Sequence, residues 1–88
     1  MNDILINAGL LTVSEIEHLV KQETLTFKYR NWKGVNGTRL IGQPMTIEYK
    51  TSPYYENAGL FLTAFDLNKQ EYRDFLLSRM LINPTQQG

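Results

Sequence analysis

The chain has 88 residues, nine basic and nine acidic side chains for a formal net charge of zero, and no cysteine. That length holds one domain, which buries only roughly 60% of its unfolded surface and gains from a partner. The missing cysteines exclude disulfides, thiolate metal sites and cysteine nucleophiles, which suits a reducing, cytoplasmic setting.

Residues 1–12 form an N-terminal segment whose apolar positions are interrupted by Asn7 and Gly9. It falls far short of the roughly 20 apolar residues of a membrane span, so it reads as neither signal peptide nor anchor. Two capping boxes follow, Thr12-x-x-Glu15 and Ser14-x-x-Glu17, and either starts a helix near residue 13. Ile16, Leu19 and Val20 share one helical face while Glu17 and Lys21 stand four apart on the other, which predicts a helix over about 13–23. From Thr24 the period becomes two. Leu25, Phe27 and Tyr29 alternate with Thr26, Lys28 and Arg30, as in a half-buried strand.

Residues 31–38 read as a loop, with Gly34 and Asn36-Gly37 for its tight turns. The chain extends again at Arg39-Leu40-Ile41, breaks at Gly42-Gln43-Pro44 as an edge, bulge or bend, and resumes with Met45, Ile47 and Tyr49 on alternate positions. Residues 51–58 are expected to form a longer loop, 59–66 a strand apolar on both faces, 67–70 a turn and about 71–77 the last strand. A flexible tail over 81–88 is polar from Asn83 onward. One helix followed by four or five short antiparallel strands predicts a mainly β, α+β chain. Its sheet curls into a small barrel over 24–80, within one domain spanning 1–88.

Charge is unevenly spread. Residues 21–50 carry Lys21, Lys28, Arg30, Lys33, Arg39 and Lys50 against Glu23 and Glu48, so a neutral protein can still present a basic face. In an extended last strand Arg73, Phe75, Leu77 and Arg79 point one way, two guanidiniums flanking an apolar patch. Arginine presents a planar fork to phosphate and stacks on rings, so the pattern suits an anion with a flat or greasy part, a nucleotide above all. Trp32 stands among Arg30, Lys33 and Gly34, where an aromatic among bases either stacks a nucleic-acid base or pins the turn. Tyr54-Tyr55 offers the same choice, or a protein hot spot.

These elements resemble the WYL domain family over about residues 13–80. The resemblance rests on Phe27-Lys28-Tyr29 before Gly34, on Arg39 shortly before Pro44, on the strand Leu60-Phe61-Leu62-Thr63-Ala64-Phe65-Asp66, and on Arg73-Asp74-Phe75 with Arg79. It implies a small bacterial ligand-sensing module of Sm-like or Src-homology-3-like barrel architecture, with Arg39, Arg73 and Arg79 around one basic groove beside Tyr29. Leu60 and Phe61 stand where the family has tryptophan and tyrosine, which removes an indole N–H and a phenolic hydroxyl. Only about 23 residues precede the first strand, whereas family members in transcription regulators follow a winged helix-turn-helix domain, so the chain is expected not to act as a conventional repressor by itself.

The candidate ligand or nucleic-acid residues are thus Arg39, Arg73, Arg79, Tyr29, Phe75, Trp32 and Lys28. Against this, Arg79 can pair with Asp66 or Glu71, and Arg73 can be an exposed edge-strand charge, contacts worth only about 0–1 kcal/mol. No metal site is expected, because His18 is the single histidine and has no ligand-type neighbour at helical spacing. The serines lack a nucleophile elbow and no glycine-rich phosphate loop follows a strand, so neither catalysis nor a cofactor is anticipated. The expected function is a stand-alone regulatory module that binds single-stranded DNA or RNA or a nucleotide, with a larger protein partner, a homodimer and no membrane association. The alternative is a protein-interaction module or inhibitor, of mobile-element type, that has lost ligand sensing.

Overall fold

The structure is a computed structural model that describes residues 4–83. Among these residues six antiparallel strands form one sheet in the order β1-β6-β2-β3-β4-β5, comprising β1 Ile6–Asn7, β2 Thr24–Arg30, β3 Asn36–Ser52, β4 Tyr55–Asp66, β5 Glu71–Leu76 and β6 Met80–Ile82. The hydrogen-bonded ladder is open, with β1 and β5 at its ends and no pairing between them among the described residues. It is nevertheless strongly curled. Phe27 of β2 and Phe75 of β5 lie three strands apart in the ladder, yet their rings meet edge to face at 5.2 Å.

The one α-helix among the described residues, α1 Val13–Leu19, starts on the Thr12 box. Thr12 Oγ1 accepts from the Glu15 amide at 3.1 Å and Glu15 Oε1 accepts from the Thr12 amide at 2.9 Å. It ends four residues before the expected 23. Beyond Leu19 the amides of Lys21 and Gln22 reach back only three residues, and Gln43 Nε2 donates to the carbonyls of Val20 and Gln22. Those carbonyls find their partner in a side chain from β3, so the helix need not continue to satisfy them.

Strand β2 follows its alternation throughout, with Leu25, Phe27 and Tyr29 buried. Strand β3 runs unbroken through the Gly42-Gln43-Pro44 interruption as a bulge, where the register against β4 shifts between Gly42 and Thr46. Pro44 has no N–H to give the ladder, and Gln43 Oε1 takes up the next amide, that of Met45, at 3.0 Å.

The expected loop over 51–58 is instead nearly all strand. β3 and β4 meet at a tight turn, Pro53-Tyr54, with Ser52 opposite Tyr55 and Ser52 Oγ accepting from the Tyr54 amide. Glu56, Asn57, Ala58 and Gly59 have poor strand propensity, and pairing along a long hairpin overrides it. The tail assignment is corrected as well. Leu81 and Ile82 belong to β6, which pairs with both β2 and β1, and Ile82 is buried. The remainder of the expected tail, 84–88, lies outside the described residues, as do residues 1–3.

No helix among the described residues is long and apolar enough to cross a membrane. The core gathers Leu19, Leu25, Phe27, Tyr29, Ile41, Leu62, Ala64, Phe75, Leu77, Met80 and Ile82 between the curled sheet and α1.

Candidate functional site

Strand register decides which charges can act together. Residues directly opposite in an antiparallel pair share a face, so Arg39, opposite Phe27, stands on the inner face of β2 and β3. Lys28 and Arg30, opposite Thr38 and Asn36, stand on the outer face. The inner face ends in three mutually perpendicular rings, Phe27, Tyr29 and Phe75, with centroids 5.2 to 6.1 Å apart. The Leu76 amide donates to the Tyr29 hydroxyl at 2.8 Å, and the Tyr55 hydroxyl lies 2.8 Å on its other side. Burial, helped by the Tyr55 bond, pushes the Tyr29 phenol above its ordinary range, against smaller opposing effects of the Leu76 amide and Arg79. The phenol therefore stays neutral and works as a structural hub.

Over this hub lies a recess of about 660 Å³ whose walls include Arg39, Arg73, Tyr29 and Trp32. Its volume is within the range of small-molecule sites. Four cations, Lys33, Arg39, Lys50 and Arg73, line it against two carboxylates, Glu71 and Asp74, leaving a local excess of positive charge. Arg39 is half-buried, its guanidinium 5.9 Å above the Tyr29 ring, and it makes no hydrogen bond or ion pair among the described residues. Gly37 makes room for it, since a Cβ there would sit 2.6 Å from Arg39 Nη1. Arg73 is committed elsewhere in part: its Nη1 donates to Glu71 at 3.2 Å and its Nε stands 4.0 Å from the buried Asp66.

Arg79 departs from the strand alternation. A 3-10 turn over Leu77–Arg79 follows β5, so Arg79 does not continue the face of Arg73 and Phe75 and is not in the recess. It lies 5.0 Å over the Tyr55 ring and donates to the Asn31 carbonyl at 3.1 Å. Neither Asp66 nor Glu71 is its partner; both pair with Arg73. Phe75 is 1% exposed, so its ring supports Tyr29 from within the core and offers no surface to a ligand. Lys28 faces away from the recess. Trp32 is half-exposed and stacks on Tyr54 at 5.4 Å with 28° between the planes, joining the β2–β3 loop to the β3–β4 turn at the recess rim.

The roles of two further participants escape sequence reasoning. Tyr55 links Tyr29 to Arg79 through its hydroxyl and its ring face, but the residues around it carry loop-like composition. Asn31 organises the loop under Trp32, its Oδ1 accepting from the Lys33 and Val35 amides at 2.9 Å each while its carbonyl accepts from Arg79. An Asn opening a Gly-containing loop is a turn signal, though nothing local announces the arginine.

On the recess wall Lys50 Nζ pairs with Asp74 at 2.9 Å, and Thr63 Oγ1 donates to the same carboxylate. Partial burial raises the Asp74 carboxyl, but the Thr63 and Lys50 bonds outweigh it and hold the group below its ordinary value. A depressed carboxyl stabilises the fold above its unfolded value near 4 and loses that contribution as pH falls through the folded value. We expect Asp74→Asn to flatten the acid limb of the stability-versus-pH curve below about pH 4, by under about 1 kcal/mol because the pair is partly exposed. Urea titrations of both proteins between pH 2.5 and 6 measure this; parallel curves would remove Asp74 from the account.

Of the two residues that the sequence resemblance sets at tryptophan and tyrosine positions, Leu60 lies opposite Tyr49 on the ladder and Phe61 is fully buried, with its ring 6.0 Å from both Lys50 Nζ and the Tyr55 ring centroid. No curated protein and no solved structure matches the chain. The family model described as WYL domain matches residues 16–82, which takes in α1 from Ile16 and every strand from β2 to β6. The chain therefore belongs to the WYL domain family, a family of regulatory ligand-sensing domains.

Proposed function

We propose that the recess binds the phosphate of a nucleotide or of single-stranded nucleic acid, and that the domain is a binder and regulator, not a catalyst. The observation that carries this is Arg39, a half-buried guanidinium held over the Tyr29 ring with no acceptor among the described residues, in a recess with excess positive charge. A guanidinium with no internal acceptor keeps its donors for an incoming anion, and Arg73, held in part by Glu71 and Asp66, lines the same recess. Trp32 and Tyr54 supply flat surfaces at the rim for a base.

Family membership supports a regulatory setting, with transcription control, the DNA-damage response and CRISPR or phage defence as the candidate contexts, in a cytoplasm that suits a cysteine-free chain. The ring contacts between β2 and β5 support closure of the curled sheet into a small Sm-like barrel. A larger protein partner or a second copy would complete such a small module. The exposed Trp32–Tyr54 pair favours a second reading, a protein-docking domain that has given up its ligand, because exposed aromatics anchor protein interfaces.

Fluorescence anisotropy with labelled single-stranded DNA and RNA, competed by mononucleotides across a salt series, separates the two readings. Binding should weaken with salt, and Arg39→Ala should reduce affinity by about 10- to 100-fold, the loss of charged hydrogen bonds worth roughly 1.5–3 kcal/mol. Absence of binding, or binding indifferent to Arg39→Ala in a folded variant, would exclude the recess as a phosphate site and leave the docking reading.

A further inference from the structure

The outer face of β2 and β3 carries a second basic surface, which meets the recess at Tyr29, Trp32 and Lys33. Lys28 and Arg30 project from alternate positions of β2, about 6.7 Å apart by strand geometry, and Lys33 follows in the adjoining loop. With Arg79 at the side they line a broad depression of about 1040 Å³ that contains no Asp or Glu. None of Lys28, Arg30 and Lys33 has a carboxylate partner among the described residues, on a protein whose acidic and basic residues are equal in number. Asn36 and Thr38, opposite Arg30 and Lys28, add neutral polar groups between the cations.

We infer that this outer face binds the phosphate backbone of a nucleic-acid duplex, chiefly through Lys28 and Arg30, which do not line the recess. An acidic protein segment would require apolar or aromatic anchors for a stable interface. Here the apolar and aromatic lining of the depression is Leu81, the buried Tyr29 and Trp32, one face of which is stacked on Tyr54. Single strands bind through successive stacking platforms, and Trp32, at the edge shared with the recess, is the one exposed ring that lines the depression among the described residues. A duplex backbone needs neither anchor nor platform, only spaced cations and hydrogen-bond donors, and is held without reading sequence. The recess could then hold its ligand while the opposite side of the sheet rests on nucleic acid.

The test uses a labelled blunt-ended DNA duplex of mixed sequence, titrated by anisotropy at several salt concentrations against four proteins: wild type, the double variant Lys28→Gln/Arg30→Gln, the reversal Lys28→Glu/Arg30→Glu, and Arg39→Ala. Wild type should bind in the non-specific range of about 10⁻⁴ to 10⁻⁶ M at moderate salt. The neutral double variant should lower the slope of log K against log salt by about 1.8, from roughly 0.9 per phosphate contact, and the reversal should abolish binding. Arg39→Ala should leave duplex affinity unchanged, which separates this surface from the recess whatever the fate of the recess ligand. Both charge variants alter exposed positions, and a thermal melt matching wild type establishes that they fold. No duplex binding, an unchanged salt slope in the neutral variant, equal loss in Arg39→Ala, or capture of polyglutamate in place of the duplex would overturn the inference.

Discussion

Phe75→Ala should destabilise the protein by about 3–5 kcal/mol, the range for removing a buried aromatic side chain, and lower Tm by roughly 15–30 °C for a domain of this length. The size follows from position. Phe75 is 1% exposed and its ring meets Phe27 and Tyr29 edge to face, both centroids at 5.2 Å. Together with the Leu76 amide bond to Tyr29 it packs β5, at one end of the ladder, against β2. Removing it opens a cavity under the recess and releases the Leu76 amide bond that fixes the Tyr29 hydroxyl. A folded domain has only about 0.05–0.15 kcal/mol of stability per residue, so this one substitution would consume much of it. Phe75→Leu fills most of the space and forfeits chiefly the edge-to-face geometry, so it should cost roughly 1–2 kcal/mol. Urea denaturation of the three proteins gives both numbers. A loss below 1 kcal/mol for the alanine variant would mean that the Phe75 ring contributes little to holding β5 against β2.

The same residue shows where sequence patterns carry and where they stop. Its alternation with Asp74 and Leu76 is legible, and so is the inner face of β2, because Leu25, Phe27 and Tyr29 are apolar on every second position without exception. What a period of two cannot tell is which face is lined and which is filled. Phe75 shares its parity with Arg73, and only the curl of the sheet decides that the ring enters the core while the guanidinium reaches the rim. Parity holds through the buried Leu77 and fails at Arg79, which a 3-10 turn directs toward Asn31. β1 and β6 have two and three residues, too few for any period, and exist through pairing between segments about 75 residues apart. Arg39 follows from register, opposite Phe27; its freedom from carboxylates does not, since Glu71 and Asp74 are near it in the recess and are claimed by Arg73 and Lys50.

Asp66 should prove nearly as important as Phe75 without touching any ligand. It is 1% exposed at the end of β4, and its two oxygens do different work. Oδ1 accepts from the Asn68 and Lys69 amides at 3.0 Å each, while Oδ2 faces Arg73 Nε at 4.0 Å. The backbone carbonyl of Asp66 then takes the Gln70 amide at 2.7 Å, closing a turn in which Gln70 adopts φ 57°, a left-handed conformation that a side chain rarely accepts unless its surroundings impose it. Asp66→Ala leaves two part-buried amides without their acceptor and removes the internal anion beside Arg73. At roughly 1–3 kcal/mol for a lost buried partner, we expect a total of about 2–4 kcal/mol. Asp66→Asn keeps a carbonyl oxygen for the two amides and removes only the charge, so it should cost about 1 kcal/mol, within the range of a single net hydrogen bond. The pair of variants therefore divides the turn from the ion pair. Equal losses would place the stabilisation in the Arg73 interaction. A large loss for alanine with a small one for asparagine would place it in the turn that delivers β5, and hence Arg73 and Phe75, to the recess.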